Sequence, residues 1–282
     1  MQLVQHRYGK ARVRILKVGR VGKTHSVKEL EVTVTLQGDF DASYTRADNR
    51  LVVATDSMKN TVNVLAQRLL GAETETFGVQ LGNHFLKKYA HVAQVHIHLT
   101  ERAWSRLTVA GKPHPHSFTE TSATKPFAQI VSTRTPKRIK TEIASGVEDL
   151  LLLKTTGSSF ENFLHDEFTT LPETSDRIFA TKLKATWTYA RPPKNFAGTN
   201  QKLLAALIAV FAKNHSPSVQ VTLFQMGEAA LKAVREVTQI RLVLPNKHYI
   251  PINLTPFGIK NRSELFLPTD DPHGQIEGTV TR

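Results

Sequence analysis

At 282 residues the chain is long enough for two domains, and 40% hydrophobic content with two tryptophans excludes an intrinsically disordered segment. It contains no cysteine, which excludes disulfides, a thiolate nucleophile and a cysteine-held metal. The formal charge of +13 attracts anions, but no block of five or more like charges concentrates it, so no nucleic-acid surface is expected.

The start, MQLVQHRYGK, lacks the apolar core of a signal peptide, and the longest apolar run, Leu203–Ala212, has the length of a helix core rather than a membrane span. Val13 and Ile15, then Leu30, Val32, Val34 and Leu36, alternate with polar residues, and Gly19 and Gly22 interrupt them. This predicts a hairpin over Ala11–Leu36, with Tyr8-Gly9-Lys10 ahead of it. Thr55-Asp56-Ser57 offers N-cap residues for a helix over Met58–Leu70. A second helix is predicted over Thr74–Tyr89, with Phe77, Leu81 and Phe85 on one face, and a strand over Val92–Leu99. His114 and His116 fall in a proline-rich stretch that reads as a loop.

The second half repeats the order. Ser158 with Glu161 three residues on reads as a capping box opening a short helix at Phe160. Ile178–Tyr189 reads as a strand and Thr199–Lys213 as a helix. Ser216-Pro217 reads as an N-cap and first helical residue, opening a helix to about Val234. Ile240–Leu244 and Tyr249–Leu254 read as closing strands joined by a turn at Asn246-Lys247-His248, and the tail from Pro268 as extended or loop. The doubled strand–strand–helix–helix–strand–strand pattern predicts an α+β fold of antiparallel sheets with helices on one face, in two domains, 1–138 and 139–282.

Taken singly, the polar residues of these segments read as surface charges and caps. Taken together they resemble the urate oxidase (uricase) family, nearly from end to end. The resemblance rests on YGK at 8–10, LVVATDSMKNTVN at 51–63, SSFENFLHDEFTTLPETSDR at 158–177, SVQ at 218–220, LPNKHY at 244–249 and FLPTDDP at 266–272. It implies two tandem tunnelling-fold domains whose sheets join across subunits into a barrel, and a homotetramer with sites between subunits. It implies oxidation of urate by O2 with no cofactor and no metal. Lys10 and Thr55 resemble the pair that acts in deprotonation, with His248 completing the relay. Arg177 and Gln220 resemble the groups that grip the purine, and Val219 adds a backbone N–H. Phe160 resembles the stacking ring, and Asn246, with Thr55, the oxygen site. Asp56 and Leu171 resemble pocket-lining positions. The chain ends Thr-Val-Thr-Arg and lacks the peroxisomal signal of eukaryotic relatives, so a bacterial-type cytoplasmic location is expected.

Two rivals make different demands. A metal-dependent, pterin-type enzyme of the same fold needs His96, His98, His114 and His116 to converge. A nucleic-acid module needs clustered basic residues with interleaved aromatics, and no such stripe is visible.

Overall fold

A computed structural model describes residues 3–121 and 123–282. The chain divides into two compact units. One runs to Gly146 and takes in Pro192–Ala197; the other comprises Val147–Arg191 and Gly198–Arg282. No helix among the described residues is long and apolar enough to cross a membrane.

In the first unit β1 (Tyr8–Val21) and β2 (Thr24–Gly38) form the expected hairpin. After α1 (Asp41–Thr45) come α2 (Thr55–Leu69) and α3 (Thr74–Lys88), then β3 (Val92–Arg102). A second hairpin, β4 (Trp104–Val109) and β5 (Lys112–Glu120), precedes β6 (Lys125–Arg134). The sheet order is β1-β2-β3-β6, followed by the first part of β7 (Ile139–Lys154). Val32, Val34 and Leu36 of β2 and Val95, Ile97 and Leu99 of β3 are buried, as are Phe77, Leu81 and Phe85 of α3. The alternation thus turns one sheet face toward the helices and leaves Thr33, Thr35, His96 and His98 on the other.

Three local expectations change here. β1 starts at Tyr8, so Tyr8, Gly9 and Lys10 lie inside the strand, because each pairs with β2. α2 starts at Thr55; Ala54 is its N-cap and no side chain caps it, so Thr55, Asp56 and Ser57 form the first turn instead of preceding it. The carboxylate of Asp56 near that exposed end suits the helix dipole, which offsets the missing cap. His114 and His116 lie in a strand, not a loop, because β5 pairs with β4 from Trp104↔Glu120 to Val109↔Lys112. A two-stranded sheet has only edge strands, where proline is tolerated.

In the second unit the remainder of β7 is followed by β8 (Phe179–Tyr189), α4 (Phe196–Lys213), α5 (Val219–Ala233), β9 (Val237–Pro251) and β10 (Phe266–Thr281), in sheet order β7-β8-β9-β10. The first two residues of α4 belong with the first unit. The turn expected at 246–248 is absent. β9 runs through it as one strand, held between β8 (Ala180↔Lys247, Thr181↔Asn246) and β10 (Gly274↔Asn246, Thr269↔His248). The extended tail is that partner strand. Phe160 opens no helix; it forms an isolated bridge with Thr174, and Ser158 bridges Ser216. Ser216 is not the cap of α5; Ser218 is, its side chain accepting from the Val221 N–H at 3.2 Å.

The two units close their helices in the same way. Lys17 of β1 donates to the carbonyls of Ala66, Gln67 and Leu70 at the end of α2 (3.1, 3.0 and 2.8 Å), and Lys154 of β7 donates to Asn214 just after α4 (2.7 Å). Arg134 at the end of β6 reaches the carbonyls of Leu86, Tyr89 and Val92 in and beyond the last turn of α3, and Arg282 after β10 those of Leu231, Val234 and Val237 in and beyond the last turn of α5. A lysine from β1 or β7 closes the first long helix of each unit, and an arginine at the end of β6 or just past β10 closes the second. These orphan carbonyls carry the negative end of the dipole, so a cation suits them. Lys17→Met keeps the aliphatic stem and removes the donors; unfolding is expected to cost about 1–2 kcal/mol less. Thermal unfolding measures it, and an unchanged Tm would show that Lys17 carries no such load.

Candidate active site

The first unit gathers Lys10, Thr55 and Asp56. Lys10 pairs with Val34 and Val13 with Val32, so one extra residue is inserted between them. Residues three apart on a regular strand face opposite sides, but this bulge turns Lys10 and Val13 to the same side, the one facing the helices. Arg12, within the bulge, takes φ +57. α2 lies along β1 with its C-terminal end at Lys17. Its fifteen residues span about 22 Å, close to the roughly 20 Å of strand from Lys17 back to Lys10. Thr55, at the other end of α2, is therefore brought level with Lys10. Tyr8 pins the junction: its hydroxyl accepts from the Val53 N–H at 2.8 Å and donates to the Val53 carbonyl at 3.3 Å. Burial pushes the Tyr8 phenol up, which keeps it protonated for this role. The Asp56 carboxyl is held below the usual carboxylate range, first by a hydrogen bond from Lys59 and, among lesser causes, by the charge of Lys10.

The second unit gathers Phe160, Arg177, Val219, Gln220, Asn246 and His248. Asn246 and His248 continue the row Ile240, Leu242, Leu244, which is buried against the helices, so both point to the helix side. The direction of α5 follows from two close approaches. A Cβ on Gly227 would come 2.6 Å from Val280, and one on Gly278 would come 2.7 Å from Leu223. Moving back four helix residues thus matches moving back two strand residues, about 6 Å in each case. One further turn places Val219 beside Ile276, whose partner is Leu244, next to the Gly274–Asn246 pair. The α5 N-terminus is therefore aimed at Asn246. Its free N–H groups, with Val219 and Gln220 in the first turn, favour an anion there.

The loop carrying Phe160 is tied to that end. The Ser159 N–H donates to the Ser216 carbonyl and the Ser216 N–H to the Gly157 carbonyl, both at 2.8 Å. The Ser216 hydroxyl donates to the Ser218 carbonyl at 3.1 Å and accepts from Thr222 at 2.6 Å. The Arg177 N–H donates to the Ser158 carbonyl at 2.8 Å, and the Arg177 guanidinium carbon lies 5.2 Å from the centre of the Phe160 ring. The guanidinium Nε of Arg177 is buried with no hydrogen-bond partner. Burial also pushes the group below the usual arginine range, and an acceptor at Nε would satisfy the donor that burial has stripped of water.

A family model for uricase matches residues 6–131 and 143–277. A uricase from Emericella nidulans is 40% identical over 292 aligned residues, covering 98% of this chain and 96% of its own length. The chain belongs to the uricase family. A uricase from Arthrobacter globiformis is 38% identical and covers 99% of the chain. The crystal structure of uricase from that organism superposes with a TM-score of 0.94 at 37% identity, covering 100% of this chain and 95% of its own. The α+β architecture with two tunnelling-fold domains is that of uricase structures.

The remaining residues of the uricase-like segments fall around these two groups. Leu171 is 55% exposed, on the loop that returns to the Phe160–Thr174 bridge. Asp176 organises the other flank, accepting from the Thr156 hydroxyl and the Gly157 N–H, each at 2.8 Å; these bonds hold its carboxyl below the usual range. The four histidines that the metal-dependent rival needs do not converge within the chain. His96 and His98 sit on β3 opposite Thr35 and Thr33, and His114 and His116 pack with His25 at the far end of β2. Among the described residues no three His, Cys, Asp or Glu side chains are placed to hold a metal. Sequence reasoning missed Tyr8, Asp176 and Ser216 as organisers of the site. It also missed Thr181, whose buried hydroxyl has no partner and which pairs with Asn246. Tyr8 and Asp176 lie within the segments 8–10 and 158–177, and that membership was the available signal.

Proposed function

We propose that this chain is a cofactor-independent urate oxidase, converting urate, O2 and water to 5-hydroxyisourate and hydrogen peroxide. Membership of the uricase family supports the activity. The observation that carries the site assignment is the Arg177 guanidinium beside Phe160, its Nε buried without a hydrogen-bond partner, near a helix N-terminus bearing Gln220. A planar fork matches adjacent oxygen and nitrogen acceptors of a purine anion. Gln220 offers both a donor and an acceptor to another edge. The Phe160 ring supplies a stacking surface without a competing polar group, and the Val219 N–H adds one more bond. Leu171 and Asp56 complete the walls.

Ground-state O2 carries two unpaired electrons and reacts slowly with closed-shell molecules. Deprotonated urate is electron-rich enough to be its own reductant. The protein then has three tasks: bind the anion, take its proton and hold O2 over the ring. In this reading Lys10 and Thr55 take the proton, His248 relays it, and Asn246 with Thr55 holds O2 and then water. Two electrons leave the purine for O2, which departs as peroxide, and water adds at C5.

Lys10, Thr55 and Asp56 lie in one unit and the remaining groups in the other. We propose a homotetramer in which one subunit lends Lys10 and Thr55 to the other groups of its neighbour. Large apolar side chains open to solvent support an assembly, including Leu164 at 88% and Phe168 at 81% exposed. The decisive experiment is oxygen uptake by EDTA-treated, flavin-free protein given urate, with peroxide assayed alongside. Uptake with matching peroxide is expected. Uptake that appears only on adding a metal or flavin would overturn the cofactor-independent reading.

A further inference from the structure

The proposed purine platform does not stand alone. Phe163 stacks on Phe160 with ring centres 4.7 Å apart and planes 9° apart, and His165 stacks on Phe163 at 4.7 Å and 15°. Three nearly parallel rings thus come from a single short loop. Its backbone is shaped to present them: Asn162, between the two phenylalanines, takes φ +58, and its N–H donates to the Glu173 carboxylate at 3.1 Å. The bridge between Phe160 and Thr174 closes the loop behind it, with bonds of 2.8 and 3.0 Å. Leu164, between the stacked Phe163 and His165, is 88% exposed. The loop therefore spends its aromatic side chains on each other rather than on a core. Neither Phe163 nor His165 has a place in the chemistry proposed above.

A stack of this kind constrains its end member. With Phe163 against one face of Phe160, the ring cannot turn about its Cα–Cβ bond without breaking the parallel contact. A flat ligand is then left the opposite face, and it shares the Phe160 ring with the Arg177 guanidinium, whose carbon lies 5.2 Å from the ring centre. We infer that Phe163 is a positioning residue: it holds Phe160 face-on so that a purine adds as the next member of the ladder. The inference rests on the reading of Phe160 as the stacking surface. Aromatic contacts of this geometry are favourable beyond the area they bury.

The test uses the full-length protein and xanthine, which keeps the purine rings but lacks the C8 oxygen. Phe163→Ala and Phe163→Leu are each expected to raise the xanthine Kd about tenfold, with urate KM rising in step and kcat within about twofold. Phe163→Tyr keeps the flat ring and is expected to bind xanthine normally, which separates lost stacking from lost folding. Phe160→Ala is measured in parallel. If Phe160→Ala loses xanthine while Phe163→Ala and Phe163→Leu keep it, the ladder is overturned and the platform stands. If Phe160→Ala also binds normally, the stacking reading itself fails and the inference fails with it. A fall in kcat with unchanged KM in Phe163→Leu would equally overturn the positioning role.

Discussion

Replacing Lys10 by alanine is expected to lower urate turnover about a thousandfold while xanthine still binds within about twofold of its normal affinity. The reason is structural. The bulge in β1 and the length of α2 together bring Lys10 level with Thr55, where a proton can be taken. The groups that would grip a purine lie in the other unit. Stopped-flow turnover and equilibrium binding measured on the same preparation separate the two quantities. Equal losses in both would remove Lys10 from the proton-transfer step. Thr55→Ala belongs to the same comparison, with a smaller loss expected because a hydroxyl relays a proton and does not keep it. The proposed assembly adds a sharper result. If Lys10→Ala and Arg177→Ala variants exchange subunits, intact pairings re-form at about a quarter of the sites, and activity returns from two inactive proteins. No recovery after demonstrated exchange would place both residues in sites built from a single subunit.

Arg177→Lys is expected to weaken xanthine binding by about 2–3 kcal/mol, or roughly 30- to 150-fold. Lysine keeps the charge, so a smaller effect would follow if charge were the whole of the interaction. The buried, unpartnered Nε marks what lysine cannot supply: a second donor held in the same plane. Stability should change little or even rise, because the wild-type group is desolvated without a hydrogen-bond partner at that atom. Isothermal titration with xanthine and thermal unfolding of both proteins read the two effects separately. Wild-type affinity in Arg177→Lys would take the residue out of the site.

Much of the site was legible as a list of residues and almost none of it as geometry. Arg177, Phe160, Gln220 and Asn246 were each visible in their motifs. Phe160 nevertheless read as the start of a helix, because Ser158 and Glu161 have capping-box spacing. In the fold Ser158 is committed to Ser216, and Phe160 to Thr174. Asn246-Lys247-His248 read as a turn because Pro245 and Asn246 are turn formers. Two neighbouring strands override that local preference and keep β9 straight, which turns Asn246 and His248 to the helix side. Ser216 read as the cap of α5 because Pro217 follows it. Ser218 wins, because Ser216 is fully buried, with its hydroxyl and backbone engaged elsewhere.

The sequence by itself determined the elements whose signals are local. The alternation of Val32, Val34 and Leu36 fixed a strand and its buried face, and the spacing of Phe77, Leu81 and Phe85 fixed a helix and its core stripe. The order of elements, repeated twice, followed from the same periodicities. The tertiary structure alone decided register: where β1 bulges, which strands flank β9 and which turn of α5 lies beside Gly278. Register depends on pairing between residues far apart in the chain, and a slip of one residue would reverse every side chain on a strand. Lys10 and Asn246 are therefore functional candidates by identity in the sequence, and become members of a site only once their strands are paired.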